Sequence, residues 1–103
     1  MPVLLFDPAL RLVFFNDAAG LYLGRSFNET GSLDAAAWRA AFPITSDEED
    51  PLVRASRCGL PVQCVVTLEG LSDRHRVRLT VWPLEGLKGD RLGLMATLHP
   101  ATA

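Results

Sequence analysis

This sequence is short of most of the residues that chemistry needs, and each shortage removes a class of protein. It has two cysteines and two histidines in 103 residues. Two cysteines do not make the disulfide framework of a small secreted domain, so a reducing compartment is expected. His75 lies in Arg74-His75-Arg76, a setting that repels a cation, and His99 stands apart from it. Solvated surface is the ordinary role for both, and no metal or haem is expected. One-signed charge is also lacking. Ten basic residues against twelve acidic ones give a formal net charge of −2, which offers no broad footprint for nucleic acid or an anionic membrane. Apolar runs end after a few residues, far short of the ~20 that a bilayer span requires. The opening Met1-Pro2-Val3-Leu4-Leu5-Phe6-Asp7 has no basic stretch and meets an acid too early for a signal peptide. The cytoplasm is the expected location. Catalytic signatures such as G-x-S-x-G, the P-loop and H-E-x-x-H are missing, so no enzyme is expected.

What remains reads as one domain over residues 1–103, with 49% hydrophobic and 21% charged residues, near the globular average. Val3 to Phe6 and Leu12 to Phe15 are short apolar strands joined by a tight turn from Asp7 to Leu10. Asn16 is placed to cap a helix bearing Ala18, Leu21 and Tyr22 on one side, with Gly24 to end it. Ser32 is expected to cap a second helix, carrying Leu33, Ala37, Trp38, Ala41 and Phe42, which Pro43 stops. Asp50 followed by Pro51 is a strong helix start, and Gly59 follows its end at Cys58. The last third turns to period two. Val62, Cys64, Val66 and Leu68 share one face, as do Val77, Leu79 and Val81, and then Leu92, Leu94, Ala96 and Leu98. With turns at Gly70 to Asp73 and Gly86 to Gly89, these strands form an antiparallel meander. The fold class is therefore α+β, a five-stranded antiparallel sheet with short helices packed on one face.

That order of elements resembles the PAS family of signalling domains, and local motifs agree. Leu5 to Asn16 resembles the PAS opening of strand, turn, strand and Asn. Asn16-Asp17-Ala18-Ala19 through Leu23-Gly24 resembles its N-x-A-A…L-G helix. Asp50-Pro51-Leu52-Val53-Arg54-Ala55 through Gly59-Leu60-Pro61-Val62 looks like the R-P-L-x-R-A-L-x-G-x-P-V segment of many bacterial members. Arg78-Leu79-Thr80-Val81-Trp82-Pro83-Leu84 resembles the strand that ends in P-L before the last hairpin. The likeness runs over nearly the whole chain, with two departures. His99-Pro100-Ala101-Thr102 stands where an Asp-Ile-Thr-like triplet is usual, and the sequence opens at the first strand without the N-terminal helix many relatives carry.

The resemblance implies a sensor or interaction domain without catalysis. No cofactor is expected. Haem-binding relatives usually present a histidine near the Pro51–Cys58 helix, and neither histidine is there. Ser56-Arg57-Cys58-Gly59 lacks the N-C-R-F-L-Q-like segment of the flavin photosensors. Cys64, on the apolar register, is expected to be an inert core residue. Arg74, Arg76 and Arg78 read as a charged outer edge that discourages edge-to-edge pairing. Two functional readings then stand. In one, Tyr22, Trp38, Cys64, Val66, Leu79 and Leu94 line an internal pocket for a small apolar ligand, and occupancy shifts a two-state equilibrium. In the other, the interior is filled by its own side chains and the domain works by association. The outward register then supplies a dimer interface at Val65, Thr80, Trp82 and Met95. Association, with a second copy or another signalling protein, is the favoured reading.

Overall fold

The computed structural model describes residues 1–70 and 74–101. β1 (Val3–Phe6) and β2 (Leu12–Phe15) form the opening hairpin. Asp7 shapes its turn: one carboxylate oxygen accepts from the Ala9 and Arg11 backbone N–H groups, each at 2.9 Å, as a short acidic side chain does in an Asx turn. Four helices follow: α1 (Asp17–Leu23), α2 (Phe27–Thr30), α3 (Ala35–Ala41) and α4 (Pro51–Cys58). The chain then runs through β4 (Val62–Glu69), β5 (Arg74–Glu85) and β6 (Arg91–Pro100), the expected meander. The turn expected at Gly70 to Asp73 falls mostly outside the described residues. A short β3 (Ile44–Thr45) before α4 adds a sixth strand to the five expected. The sheet order is β2-β1-β6-β5-β4-β3, with every neighbouring pair antiparallel.

The helix ends follow local chemistry, with instructive differences from the sequence reading. Asn16 caps α1 by accepting from Ala19 N–H at 3.0 Å, and Gly24 ends it in the left-handed region at φ 87°. Its buried face is Ala19, Gly20 and Leu23 rather than the expected side, and Leu21 is 83% exposed. Gly20 also makes room for the Arg25 carbonyl oxygen, which a side-chain carbon would approach to 2.8 Å. Asp34, not Ser32, caps α3, because Leu33 is held in an extended bridge with Leu12 through two backbone bonds of 2.8 and 2.9 Å. Ser26 and Glu29 form a capping box around α2, a helix too short to show periodicity. In α4 the expected signals all operate: Asp50 accepts from Leu52 N–H, Pro51 opens the first turn and Gly59 closes it.

The core lies between the helices and one face of the sheet. Leu4, Phe6, Val66, Leu68, Val77, Leu79, Val81, Leu94, Ala96 and Leu98 turn to it, and Trp38 and Leu52 come down from α3 and α4. One expected inner residue departs: Leu92 is 60% exposed, because the β5–β6 register slips between Leu84 and Glu85. Gly93, next to it, has φ 140° and passes so near β1 that a side-chain carbon would overlap the Phe6 carbonyl oxygen. Arg74, Arg76 and Arg78 do lie on the outward side of β5, but β5 is an interior strand between β6 and β4. They guard no sheet edge, contrary to the expectation.

Candidate functional site

A domain of this architecture offers two places for a functional site, the enclosed side of the sheet and the open side. On the enclosed side the side chains leave a void of about 10 Å³, lined by Leu4, Phe6, Ile44, Leu52, Leu68, Leu79, Ala96 and Leu98. That is room for one water at most, and a wholly hydrocarbon wall gives a water no partner. Ligand pockets for small molecules run to roughly 300–1,000 Å³. Of the six expected pocket residues, Leu79 alone borders the void. Val66 and Leu94 are buried in the packed core. Trp38 is 2% exposed, its ring 5.2 Å from that of Phe6 and its indole N–H donating to Leu10 O at 2.8 Å. It seals the interior rather than lining a space. Tyr22 is half-buried at the margin of the core, edge-on to His75 at 4.9 Å, where with Leu21 it borders a surface groove. Cys64 keeps its inner register but is half-exposed beside α4, and it borders a separate cleft at the sheet margin. Burial pushes its thiol above the usual range, with the Glu48 carboxylate adding to the shift.

The open side is ordered by register. Opposed residues of an antiparallel pair share a face, so Phe14↔Leu5, Leu5↔Met95 and Met95↔Trp82 align as one apolar row across β2, β1, β6 and β5. Beside it runs Val3↔Thr97, Thr97↔Thr80 and Thr80↔Gln63, a second row in which Gln63 donates to the Thr80 hydroxyl at 3.1 Å. Thr80 and Thr97 are buried among longer neighbours, and the Thr97 hydroxyl has no hydrogen-bond partner among the described residues. Val65 faces Arg78 one step further along β4 and is 40% exposed. The structure therefore brings Val65, Thr80, Trp82 and Met95 onto one face, with Trp82 and Met95 directly paired. Leu5 and Phe14 extend the row, and the sequence reading missed them. Strands of four residues carry too little alternation to assign a face, although Val3 and Leu5 are two apart as that face demands. At the β2 margin of this side the Phe27 ring of α2 lies 5.3 Å from that of Phe14.

No family model matches the sequence, and no curated protein matches it. Solved structures do match in fold. The chain superposes on the PAS domain of nitrogen regulation protein NR(II) from Vibrio parahaemolyticus with a TM-score of 0.71 and 17% identity, covering 96% of this chain and 87% of that one. It superposes on the light-state dimer of the fungal blue-light photoreceptor Vivid at 0.74 and 16%, covering 95% and 76%. A light-oxygen-voltage domain studied with a flavin analogue gives 0.73 and 14%, over 98% and 77%. The six-stranded antiparallel sheet with four short helices is the PAS fold. A flavin does not fit the interior of this chain, because the apolar void has no volume for the ring and no polar side chain to orient it.

Proposed function

We propose that this domain is a signalling module that acts by association, forming a homodimer through the open face of its sheet. One observation carries the reading: the apolar row Phe14, Leu5, Met95 and Trp82 spans four strands on the face opposite the packed core. Monomers rarely expose contiguous apolar patches beyond a few hundred Å². A two-fold pairing of the same patch is the commonest way to close one. Trp82 is the anchor, since tryptophan is enriched among the few residues that dominate interface energy. The closed interior favours association over internal ligand sensing. The module needs no cofactor and no catalysis of its own, and the cytoplasm suits its free thiols.

Sedimentation of the wild type and of Trp82→Glu tests this. A dimeric wild type and a monomeric variant are the expected pair. A wild type that stays monomeric at its highest soluble concentration ends the homodimer. If native mass spectrometry then finds a co-purifying small molecule, ligand sensing replaces it; a co-purifying signalling protein would make the association heterologous.

A further inference from the structure

A different surface, the edge of β4, has its own chemistry. β3 pairs with β4 only at Leu68 and Thr67, and then the chain leaves the sheet through a turn in which Glu48 N–H donates to the Ser46 hydroxyl. Among the described residues the stretch Val62 to Val66 is left with one strand neighbour, β5. Which backbone groups are free follows from a single bond. Glu69 N–H donates to Pro43 O at 2.9 Å, so the odd-numbered residues of β4 bond toward β3 and the even-numbered ones toward β5. The N–H and C=O groups of Gln63 and Val65 therefore point outward, along the line β3 abandons.

They point at a built recess. A cleft of about 350 Å³ runs beside this edge, bordered by Ser46, Asp47, Glu48, Gln63, Cys64, Val65 and Arg76. Ser46, Asp47 and Glu48 share this border with the β4 edge, and Arg76 stands there as a single guanidinium against their two carboxylates. Asp47 makes no ion pair among the described residues, and Glu48 makes one weak contact with Arg54 at 3.5 Å. Natural sheets block such an edge with a proline, a lysine or a bulge, and Val62-Gln63-Cys64-Val65-Val66 contains none of these.

We propose that this edge receives an extended peptide as an added strand. The backbone of the peptide bonds to Gln63 and Val65, and a basic side chain on it meets Asp47 and Glu48. Strand addition takes affinity from main-chain bonds and specificity from alternate side chains. The partner is thus an extended segment of β-branched residues interrupted by lysine or arginine.

The test uses the ¹⁵N-labelled protein and a fluorescein-labelled peptide, acetyl-Val-Lys-Val-Thr-Lys-Val-amide. In the free protein, the Gln63 and Val65 amides should exchange with solvent fast, while Cys64 and Val66, bonded to β5, are protected. Adding the peptide should protect Gln63 and Val65 and give saturable anisotropy. Val65→Pro removes one outward donor and spares the β5 ladder, so it should weaken binding by roughly tenfold, the scale of one lost backbone bond. Asp47→Lys with Glu48→Lys leaves the strand untouched and should weaken it through charge alone. Absence of saturable binding to the wild type overturns the proposal, as do shifts centred on Trp82 and Met95. Concentration-dependent protection of Gln63 and Val65 without peptide also overturns it, since a second copy would then hold the edge. Sedimentation of Trp82→Glu reads the other face, so failure of one assignment leaves the other standing.

Discussion

The Asn16 side chain holds three backbone groups at once. Its oxygen accepts from Ala19 N–H at 3.0 Å and from Val3 N–H at 3.1 Å, while its amide donates to Met1 O at 2.8 Å. The sequence pattern indicates the first of these bonds, because an Asn before a helix is a cap; the others join residues 13 and 15 positions apart and have no local signature. A cap alone is worth about 1 kcal/mol. Stranding the half-buried Val3 N–H as well costs about 1 kcal/mol more, so Asn16→Ala should destabilise the fold by roughly 2 kcal/mol. Asn16→Asp keeps the acceptor and loses the donor, and should recover about half of that. Urea midpoints of the three proteins measure it; a loss for Asn16→Ala no larger than that for Asn16→Asp would mean the shared oxygen is not what holds the junction. Cys64 makes the opposite case at this scale. Its register was legible as inner, but its partial exposure was not, because the edge beside it opens only where β3 stops.

Elements were legible where their ends carry distinct chemistry. The Asp50-Pro51 start and Gly59 stop of α4, and the alternation of β4 and β5, needed nothing from the rest of the molecule. α3 was misread by two residues because tertiary pairing of Leu33 with Leu12 overrode a good local cap at Ser32. α2 and β3, at four and two residues, are shorter than one period of the pattern that would reveal them. The slip in β6 is similar: alternation puts Leu92 inside, and only the bulge beside Gly93 turns it out. That bulge is testable. Gly93 combines φ 140° with a backbone approach that leaves no room for a methyl group against the Phe6 carbonyl. Gly93→Ala therefore imposes both an unfavourable backbone region and a clash between central strands, and should cost about 3 kcal/mol or more. Gly89→Ala, at φ 77° with open space around it, has the backbone cost alone and should lose about 1 kcal/mol. Thermal midpoints that fall equally for the two would show that β6 and β1 do not pack this tightly.

Whole-molecule properties were the least legible, because volume and partners leave no periodic trace. The inner register reads the same whether the interior is a pocket or a solid core; the side chains of Trp38, Leu52 and Phe6 decide for a solid core. A filled interior holds no chromophore, so the purified protein should be colourless, and a Soret or flavin band would contradict the packing described. The open face has the reverse history. Half of its apolar row was visible in the alternation of β5 and β6, and half was hidden in β1 and β2. Joined, they make the surface that the proposed dimer buries, and such burial would couple folding to assembly. If the dimer is the stable form, unfolding releases two chains, and mass action makes the midpoint rise with protein concentration. A tenfold increase is worth about 1.4 kcal/mol, which in a domain of this size moves the midpoint by on the order of a few degrees. Trp82→Glu places a charge in the centre of the row and should abolish that dependence, giving one midpoint at every concentration. The coupling separates assembly from ordinary stability, since a merely destabilised variant would melt lower yet keep the slope. Calorimetric scans of both proteins over a hundredfold range of concentration measure it. A flat wild-type midpoint would show that the apolar row faces water in the working state.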